Sequence, residues 1–182
     1  MKKPDLEHLL RAAGRILDEK QFIVIGSQSL LGKYPNAPPA LTMSMEADFI
    51  TRNKKKNGEL LNNIGENSLF HDQFGYYVDP VDERTARLPK GWKGRLINLN
   101  TPATEGVTGL CLHPHDLFVA KIAAGREKDF DFARAMIEHD MVTKDSVLEL
   151  AATVPNPEDD LGLSRRITAR TKRLFTAAQR SD

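Results

Sequence analysis

The chain has 182 residues, with 26 lysines and arginines against 25 aspartates and glutamates, so its formal net charge at pH 7 is +1. This balance excludes a global electrostatic attraction to nucleic acid or membrane, and the length suits one compact domain with at most a small appendage. The single cysteine, Cys111, excludes an intramolecular disulfide and favours a reducing, cytoplasmic setting, and no apolar run approaches the roughly 20 residues that span a bilayer, so no membrane partner is expected.

The first part of the chain predicts a helix, a strand and a turn. Apolar residues recur at helical spacing over residues 6–17, and Asp5 is the predicted N-cap. The β-branched and aromatic run at residues 22–25 predicts a short buried strand. Gly26 and Ser27 follow it and open a short helix, after which a loop reaches Pro39.

Residues 42–50 alternate between polar and apolar side chains, which predicts a strand with one polar face. Successive side chains of a strand point to opposite faces, whereas a helix would scatter this pattern. The predicted polar face carries Thr42, Ser44, Glu46 and Asp48, and the predicted apolar face carries Met43, Met45, Ala47 and Phe49.

The remaining chain predicts further strands and then helices only. A basic turn is predicted at 52–58, a helix at 59–66, a strand at 74–78 that ends at Asp79, a turn at 89–94, and strands at 95–99 and 107–112. Helices follow at 114–124, 127–139, 143–153 and 161–179, with Pro114 starting the first of them and Gly125 ending it. This order predicts an α+β core over residues 1–112 and a C-terminal helical subdomain, residues 113–182, packed on that core.

Two acids on the polar face of the predicted strand point to metal chemistry. Glu46 and Asp48 lie side by side, and like charges held close together repel. A divalent cation relieves this repulsion, and Mg²⁺ is commonly held by one or two carboxylates together with substrate phosphates. Gly26 and Ser27 complement the acids, because a glycine where a strand turns into a helix lets the backbone approach a phosphate.

These residues resemble the signature of the polymerase-beta nucleotidyltransferase superfamily. The signature has a Gly-Gly or Gly-Ser pair after a first strand and two acids separated by one apolar residue, here Gly26-Ser27 and Glu46-Ala47-Asp48. Residues 74–79, 88–92, 116–121 and 124–129 resemble small bacterial nucleotidyltransferases related to the toxin of the AbiE system, so the resemblance covers roughly residues 20–140. Glu46, where aspartate is commoner, and a longer loop before it depart from the usual pattern.

The resemblance implies a nucleotidyltransferase-like mixed sheet flanked by helices, with two Mg²⁺ ions at the acids. Glu46 and Asp48 would be metal-binding catalytic acids, and a third acid would be Asp79, or else Asp82. The implied reaction transfers a nucleoside monophosphate from a nucleoside triphosphate to an acceptor hydroxyl. By the same resemblance the acceptor is an RNA end, such as that of tRNA, or a protein, and the enzyme is a toxin–antitoxin component with an antitoxin partner.

The nucleotide-binding residues implied by the resemblance come from two parts of the sequence. Gly26 and Ser27 would seat the triphosphate, Lys121 and Lys128 would neutralise it, and Asp129 would orient its neighbouring lysine. An alternative for each is structural: a turn, a helix surface residue, or an acid that favours a helix start.

A second hypothesis is a catalytically inactive module with the same fold that binds RNA or a protein partner. Two basic patches bear on it, since phosphate contacts dominate nucleic-acid affinity, although a charge run is usually a solvated surface. The patches are Lys54, Lys55 and Lys56, and a C-terminal set of Arg165, Arg166, Arg170, Lys172, Arg173 and Arg180.

Overall fold

A computed structural model of the protein describes residues 1–51 and 54–179, and of residues 54–57 the backbone alone. The described part contains a five-stranded mixed sheet flanked by helices and seven α-helices in all, which confirms the predicted α+β class. It divides into a sheet unit, Met1–Thr85 with Leu96–Leu112, and a helical unit, Ala86–Arg95 with the chain from His113 onward. Arg180 and the side chains of Lys54, Lys55 and Lys56 lie outside the described residues.

The sheet unit is built on strands of three to five residues. Its strands are β1 (Gln21–Ile25), β2 (Glu46–Ile50), β3 (Tyr77–Pro80), β4 (Ile97–Leu99) and β5 (Thr108–Cys111), and its helices are α1 (Lys3–Leu17), α2 (Lys54–Leu61) and α3 (Leu69–Phe74). The strand order is β3-β2-β1-β5-β4. Strand β2 runs antiparallel to β1 and parallel to β3, while β5 runs parallel to β1 and antiparallel to β4.

The core of the sheet unit is formed by buried residues of α1 and of the middle strands of the sheet. Apolar residues on one face of α1 are fully buried, as their helical spacing predicts. The rings of Phe22 and Phe49 stack across β1 and β2 with centroids 5.6 Å apart. The predicted N-cap is wrong by one turn: Lys2 is the N-cap residue, and the Asp5 carboxylate accepts a hydrogen bond of 2.7 Å from its backbone N–H.

Strand β2 is shorter than the alternation predicts. It begins at Glu46, and the two methionines predicted to face the core, Met43 and Met45, are 81% and 54% exposed. The reason is the register, because β1 pairs with β2 only over Asp48–Ile50 and β3 begins opposite Glu46. Among the described residues, no strand pairs with residues 42–44, so their alternating side chains have no sheet to belong to and do not form a buried face.

Two segments between β2 and β3 also differ from their predictions. Residues 54–58, predicted as a turn, are part of α2, and that helix ends at Leu61 rather than continuing to residue 66. The strand predicted from residue 74 begins only at Tyr77, because Phe74 is the last residue of the helix α3. The Ser68 hydroxyl caps α3 by accepting from the His71 N–H, and Gly75 ends it at a φ of 75°.

The helical unit consists of four helices that follow the predicted boundaries closely. They are α4 (Pro114–Ala124), α5 (Glu127–Glu138), α6 (Lys144–Ala152) and α7 (Leu163–Ala178). Phe118 of α4 and Phe175 of α7 have ring centroids 5.9 Å apart. Arg95 is bound to the fully buried Asp116 through two hydrogen bonds of 2.8 and 2.6 Å. In the part of the chain that the structure describes, no helix is both long and apolar enough to cross a membrane.

Candidate active site

The register between β2 and β3 brings three carboxylates together. Asp48 pairs with Asp79, and Glu46 pairs with Tyr77, in parallel strands. Directly paired residues of neighbouring strands share a face, and residues two apart along a strand do so as well. Glu46, Asp48 and Asp79 therefore lie on one face of two adjacent strands. Asp82 lies beyond β3, where its carboxylate accepts a hydrogen bond of 2.8 Å from the Arg84 N–H.

Gly26 lies directly against the carboxylate of Asp48. Strand β1 ends at Ile25, which pairs with Asp48, and the next residue has φ 68° and ψ −169°. A Cβ at Gly26 would lie 1.7 Å from Oδ2 of Asp48. Both the backbone conformation and the carboxylate thus require glycine here. The Gly26-Ser27 turn and the second acid, separate in sequence, are in contact in the structure.

Buried polar side chains hold this turn in place. Ser27 begins a short 3₁₀ helix that extends to Gly32, and within it Gln28 and Ser29 are buried. The Ser29 hydroxyl donates to the carbonyl of Gly26 at 2.7 Å, and the Gln28 amide donates to the carbonyl of Ser44 at 3.0 Å. The turn is therefore tied both to itself and to the segment that leads into β2.

The face of β2 and β3 that carries Glu46, Asp48 and Asp79, here called the acidic face, concentrates negative charge. Burial, followed by the negative charges of Glu46 and Glu66, raises the pKa of Asp79 above its usual value. Burial and the same two glutamates raise the pKa of Tyr77 to about 12. Burial is the larger cause of both shifts and the neighbouring carboxylates add to it, so a further negative charge at this face is unfavourable. Glu66, which the sequence did not single out, belongs to this acidic group.

Tyr77 is a second residue that sequence reasoning missed. Its hydroxyl donates a hydrogen bond of 3.4 Å to Oε2 of Glu46, and its ring centroid lies 4.6 Å from that of His71. The available signal was its spacing, since Tyr77 lies two residues before Asp79 and so shares the face of that acid in a strand.

The donor set suits a hard divalent cation. Carboxylate oxygens are the ligands that Mg²⁺ prefers, and the repulsion around Asp79 is the kind that a cation relieves. In their present orientations, however, no three histidine, cysteine, aspartate or glutamate side chains among residues 1–51 and 54–179 converge on a point that could hold a metal ion. The backbone register provides neighbouring carboxylates, and bringing three of them to one ion requires at least one of these side chains to rotate.

Two of the three predicted residues of the helical unit, Lys121 and Asp129, form an ion network with Arg126 rather than with Lys128. Asp129 is fully buried and accepts from Nε of Arg126 at 2.6 Å, and the Lys121 ammonium lies 3.3 Å from its other oxygen. The same ammonium lies 4.9 Å from the ring centroid of Phe132. Burial would raise the pKa of Asp129, but Arg126 and Lys121 outweigh it and hold the pKa below its usual value. Lys128 is exposed on α5.

One protein family matches most of the chain. Residues 5–154 match a family model described as a nucleotidyltransferase of unknown function (DUF6036). The matched region contains the predicted site residues of both units and ends before α7. No curated protein and no solved structure matches the chain significantly.

Proposed function

The chain belongs to the DUF6036 family of nucleotidyltransferases, and from that premise we propose that it moves a nucleoside monophosphate from a nucleoside triphosphate to an acceptor hydroxyl with Mg²⁺. The observation that carries this proposal is the pairing of Asp48 with Asp79, with Glu46 on the same face and the Gly26 turn against the Asp48 carboxylate. Carboxylate oxygens, the ligands that Mg²⁺ prefers, thus lie beside a glycine turn of the kind that binds phosphate, which supports the proposal.

Each residue of the acidic face has a separate proposed role. Glu46, Asp48 and Asp79 would hold the cation or pair of cations. When bound, Mg²⁺ supplies charge neutralisation at the carboxylates and the phosphates. Gly26 lets the turn lie directly against the Asp48 carboxylate. The triphosphate would bind beside this turn, where the Ser27 hydroxyl would donate to a phosphate oxygen.

Activation of the acceptor hydroxyl is assigned to Asp79, which lies on the β3 side of the acidic face. The acceptor oxygen would attack the α-phosphorus, pyrophosphate would leave, and the hydroxyl proton would pass to the Asp79 carboxylate. Most of the rate acceleration in such transfers comes from positioning and charge neutralisation.

The finer assignments rest on the sequence resemblance. Lys121 and Lys128 remain the proposed phosphate-binding cations of the helical unit. In that unit Lys121 is oriented by Asp129 and Phe132. We propose an RNA end, such as that of tRNA, or a protein side chain as the acceptor, and an antitoxin as a partner.

Label transfer tests the proposal. The protein is incubated with Mg²⁺, nucleoside triphosphates labelled at the α-phosphate, and total RNA plus cell protein. We expect label in one acceptor class with the wild type, and a loss of about a hundredfold or more for Asp48→Asn and Asp79→Asn, comparable to removing one key electrostatic group. Asp82→Asn is the matched control and should retain activity, because Asp82 lies beyond β3.

A folding control accompanies the assay. Without divalent cation, the melting temperature of Asp48→Asn should equal or slightly exceed that of the wild type, because a like-charge repulsion is removed. Absence of label with every variant and with the wild type would reject the transferase and favour a module of the same fold that binds RNA or a protein. Equal loss for Asp79→Asn and Asp82→Asn would reject the assignment of the third acid.

A further inference from the structure

Tyr77 connects the acidic face to α3. Its partner in the β2–β3 register is Glu46, and its hydroxyl donates to Oε2 of that glutamate at 3.4 Å. The tyrosine ring packs against His71, with centroids 4.6 Å apart. His71 is itself fixed, because its ring Nδ1 accepts from the Asn67 N–H at 3.2 Å and its backbone N–H is capped by Ser68.

We propose that Tyr77 is a positioning residue, which binds one oxygen of Glu46 and leaves the other oxygen directed to the cation. The inference rests on the proposed metal-dependent function and assigns to it a residue outside the carboxylate set. Tyr77 would not touch the substrate or the reacting atoms. It would act only through Glu46.

The need for such a residue follows from the charges around Glu46. A half-buried glutamate beside Asp48 and Asp79 is repelled by both and has several rotatable bonds, so without a partner it would turn toward solvent. A hydroxyl donor on the neighbouring strand opposes this rotation without adding a competing positive charge. Partners that orient a metal ligand in this way typically change metal affinity by 10- to 100-fold, as order-of-magnitude values.

The neighbouring tyrosine provides a matched control. Tyr76 is one residue earlier, on the opposite face, and its hydroxyl is within 2.9 Å of Nδ1 of His8. Tyr76→Phe and Tyr77→Phe therefore each remove one hydroxyl and one hydrogen bond at a half-buried position. They differ in whether that bond reaches the acidic face.

The experiment measures cation binding directly, without turnover. Mn²⁺ is titrated into nucleotide-free wild type, Tyr77→Phe and Tyr76→Phe, and free Mn²⁺ is followed by electron paramagnetic resonance. We expect Tyr77→Phe to weaken Mn²⁺ binding by about tenfold, and Tyr76→Phe to bind as the wild type does. In the label-transfer assay, excess Mg²⁺ should restore most of the Tyr77→Phe rate, because the defect lies in holding the cation.

The outcomes separate this inference from the function on which it rests. Wild-type binding that is unchanged in Tyr77→Phe, or is weakened equally in Tyr76→Phe, overturns the positioning role and leaves the proposed function standing. Absence of Mn²⁺ binding and of label transfer in the wild type rejects the proposed function and the positioning role together.

Discussion

At the scale of single residues, Gly26 has two separate constraints that a substitution would violate together. Its φ of 68° with ψ of −169° lies in a region that is almost restricted to glycine. A Cβ there would also lie 1.7 Å from Oδ2 of Asp48, so the carboxylate would have to move. Strain at this position therefore acts on the proposed metal ligand as well as on the backbone.

Gly26→Ala should thus impair both stability and function. We expect a loss of about 2–3 kcal/mol in the free energy of unfolding, from the backbone conformation and the contact with Asp48. Urea denaturation measures the loss, and Mn²⁺ titration should show weaker binding, because the Asp48 carboxylate is displaced.

Gly75→Ala is the matched control for this prediction. Gly75 also has a positive φ, 75°, but a Cβ there would have no atom within 4 Å. The control should lose about 1 kcal/mol, the usual cost of alanine in a left-handed conformation, and should keep its affinity for Mn²⁺. Equal effects of the two substitutions on Mn²⁺ binding would show that the contact with Asp48 is irrelevant to the site.

The residues of the acidic face differ in how far the sequence could reveal them. Glu46 and Asp48 were found because both occupy one short alternating strand, where spacing alone fixes the shared face. Whether Asp79 or Asp82 is nearer to them depends on the register of two strands far apart in sequence, which alternation does not encode. Tyr77 depends on the same long-range pairing, and Glu66 lies in a turn before α3, so only the structure reveals the contact of Tyr77 with Glu46 and the effect of the Glu66 charge on Asp79.

At the scale of elements, the sequence predicts helices of the second half more accurately than strands of the first. The limits of α4 match their prediction because Pro114 and Gly125 are local signals that act within one turn. Strand β2 was predicted four residues too long, since where a strand ends depends on its neighbours. The six-residue helix α3 is too short for a periodic signal, although Ser68 and Gly75 mark its two ends.

The start of α5 depends on the buried charge of Asp129. Asp129→Asn would remove the buried carboxylate that pairs with the half-buried Lys121, and breaking such a pair is strongly destabilising. We expect a loss of about 2–3 kcal/mol at pH 7, below the full range for buried pairs because Arg126 can be hydrated. Asp131→Asn on the same helix breaks an exposed pair with Arg134 and should cost less than about 1 kcal/mol.

The same network predicts a pH dependence of defined sign. The pKa of Asp129 is lowered in the folded protein from 3.8, so its contribution is fully present above about pH 5 and is lost as the pH falls through the folded value. The difference in unfolding free energy between wild type and Asp129→Asn should therefore be constant from about pH 7 to 5 and shrink below about pH 4. A difference that stays constant to the lowest measurable pH would contradict the ion-pair assignment.

At the scale of the whole molecule, α7 lies outside the family match but is integral to the helical unit. The match ends at residue 154, whereas α7 buries apolar side chains that include Leu174 and Phe175. Arg170 fixes it further, because one guanidinium nitrogen donates to the carbonyl of Ile122 at 3.1 Å and the group lies 5.6 Å from the ring centroid of Phe130. The helical unit therefore depends on a helix that the family model does not include.

Removal of α7 by ending the chain after Val154 should open the helical unit and spare the sheet unit. Four buried apolar side chains of α7, at about 1.5–3 kcal/mol each, together approach the whole stability of an ordinary domain, about 5–15 kcal/mol. These side chains are Leu163, Ile167, Leu174 and Phe175. Hydrogen exchange should show lost amide protection in α4 and α6 but retained protection in β1 and β5.

Leu174 in α7 and Leu161 just before it are a matched pair of substitution sites. Comparing them distinguishes the loss of buried packing from a general effect of altering this region. Leu174→Ala, at a position only 8% exposed, should cost about 2–4 kcal/mol, with faster exchange in α4. Leu161→Ala removes the same atoms from a side chain that is 75% exposed and should change stability by less than about 0.5 kcal/mol. Retained protection of α4 and α6 in the shortened chain would show instead that the family-matched region folds without α7. In that case the basic residues of α7 would not be needed for folding. RNA binding by the full-length and shortened chains would then be compared to test whether they bind nucleic acid.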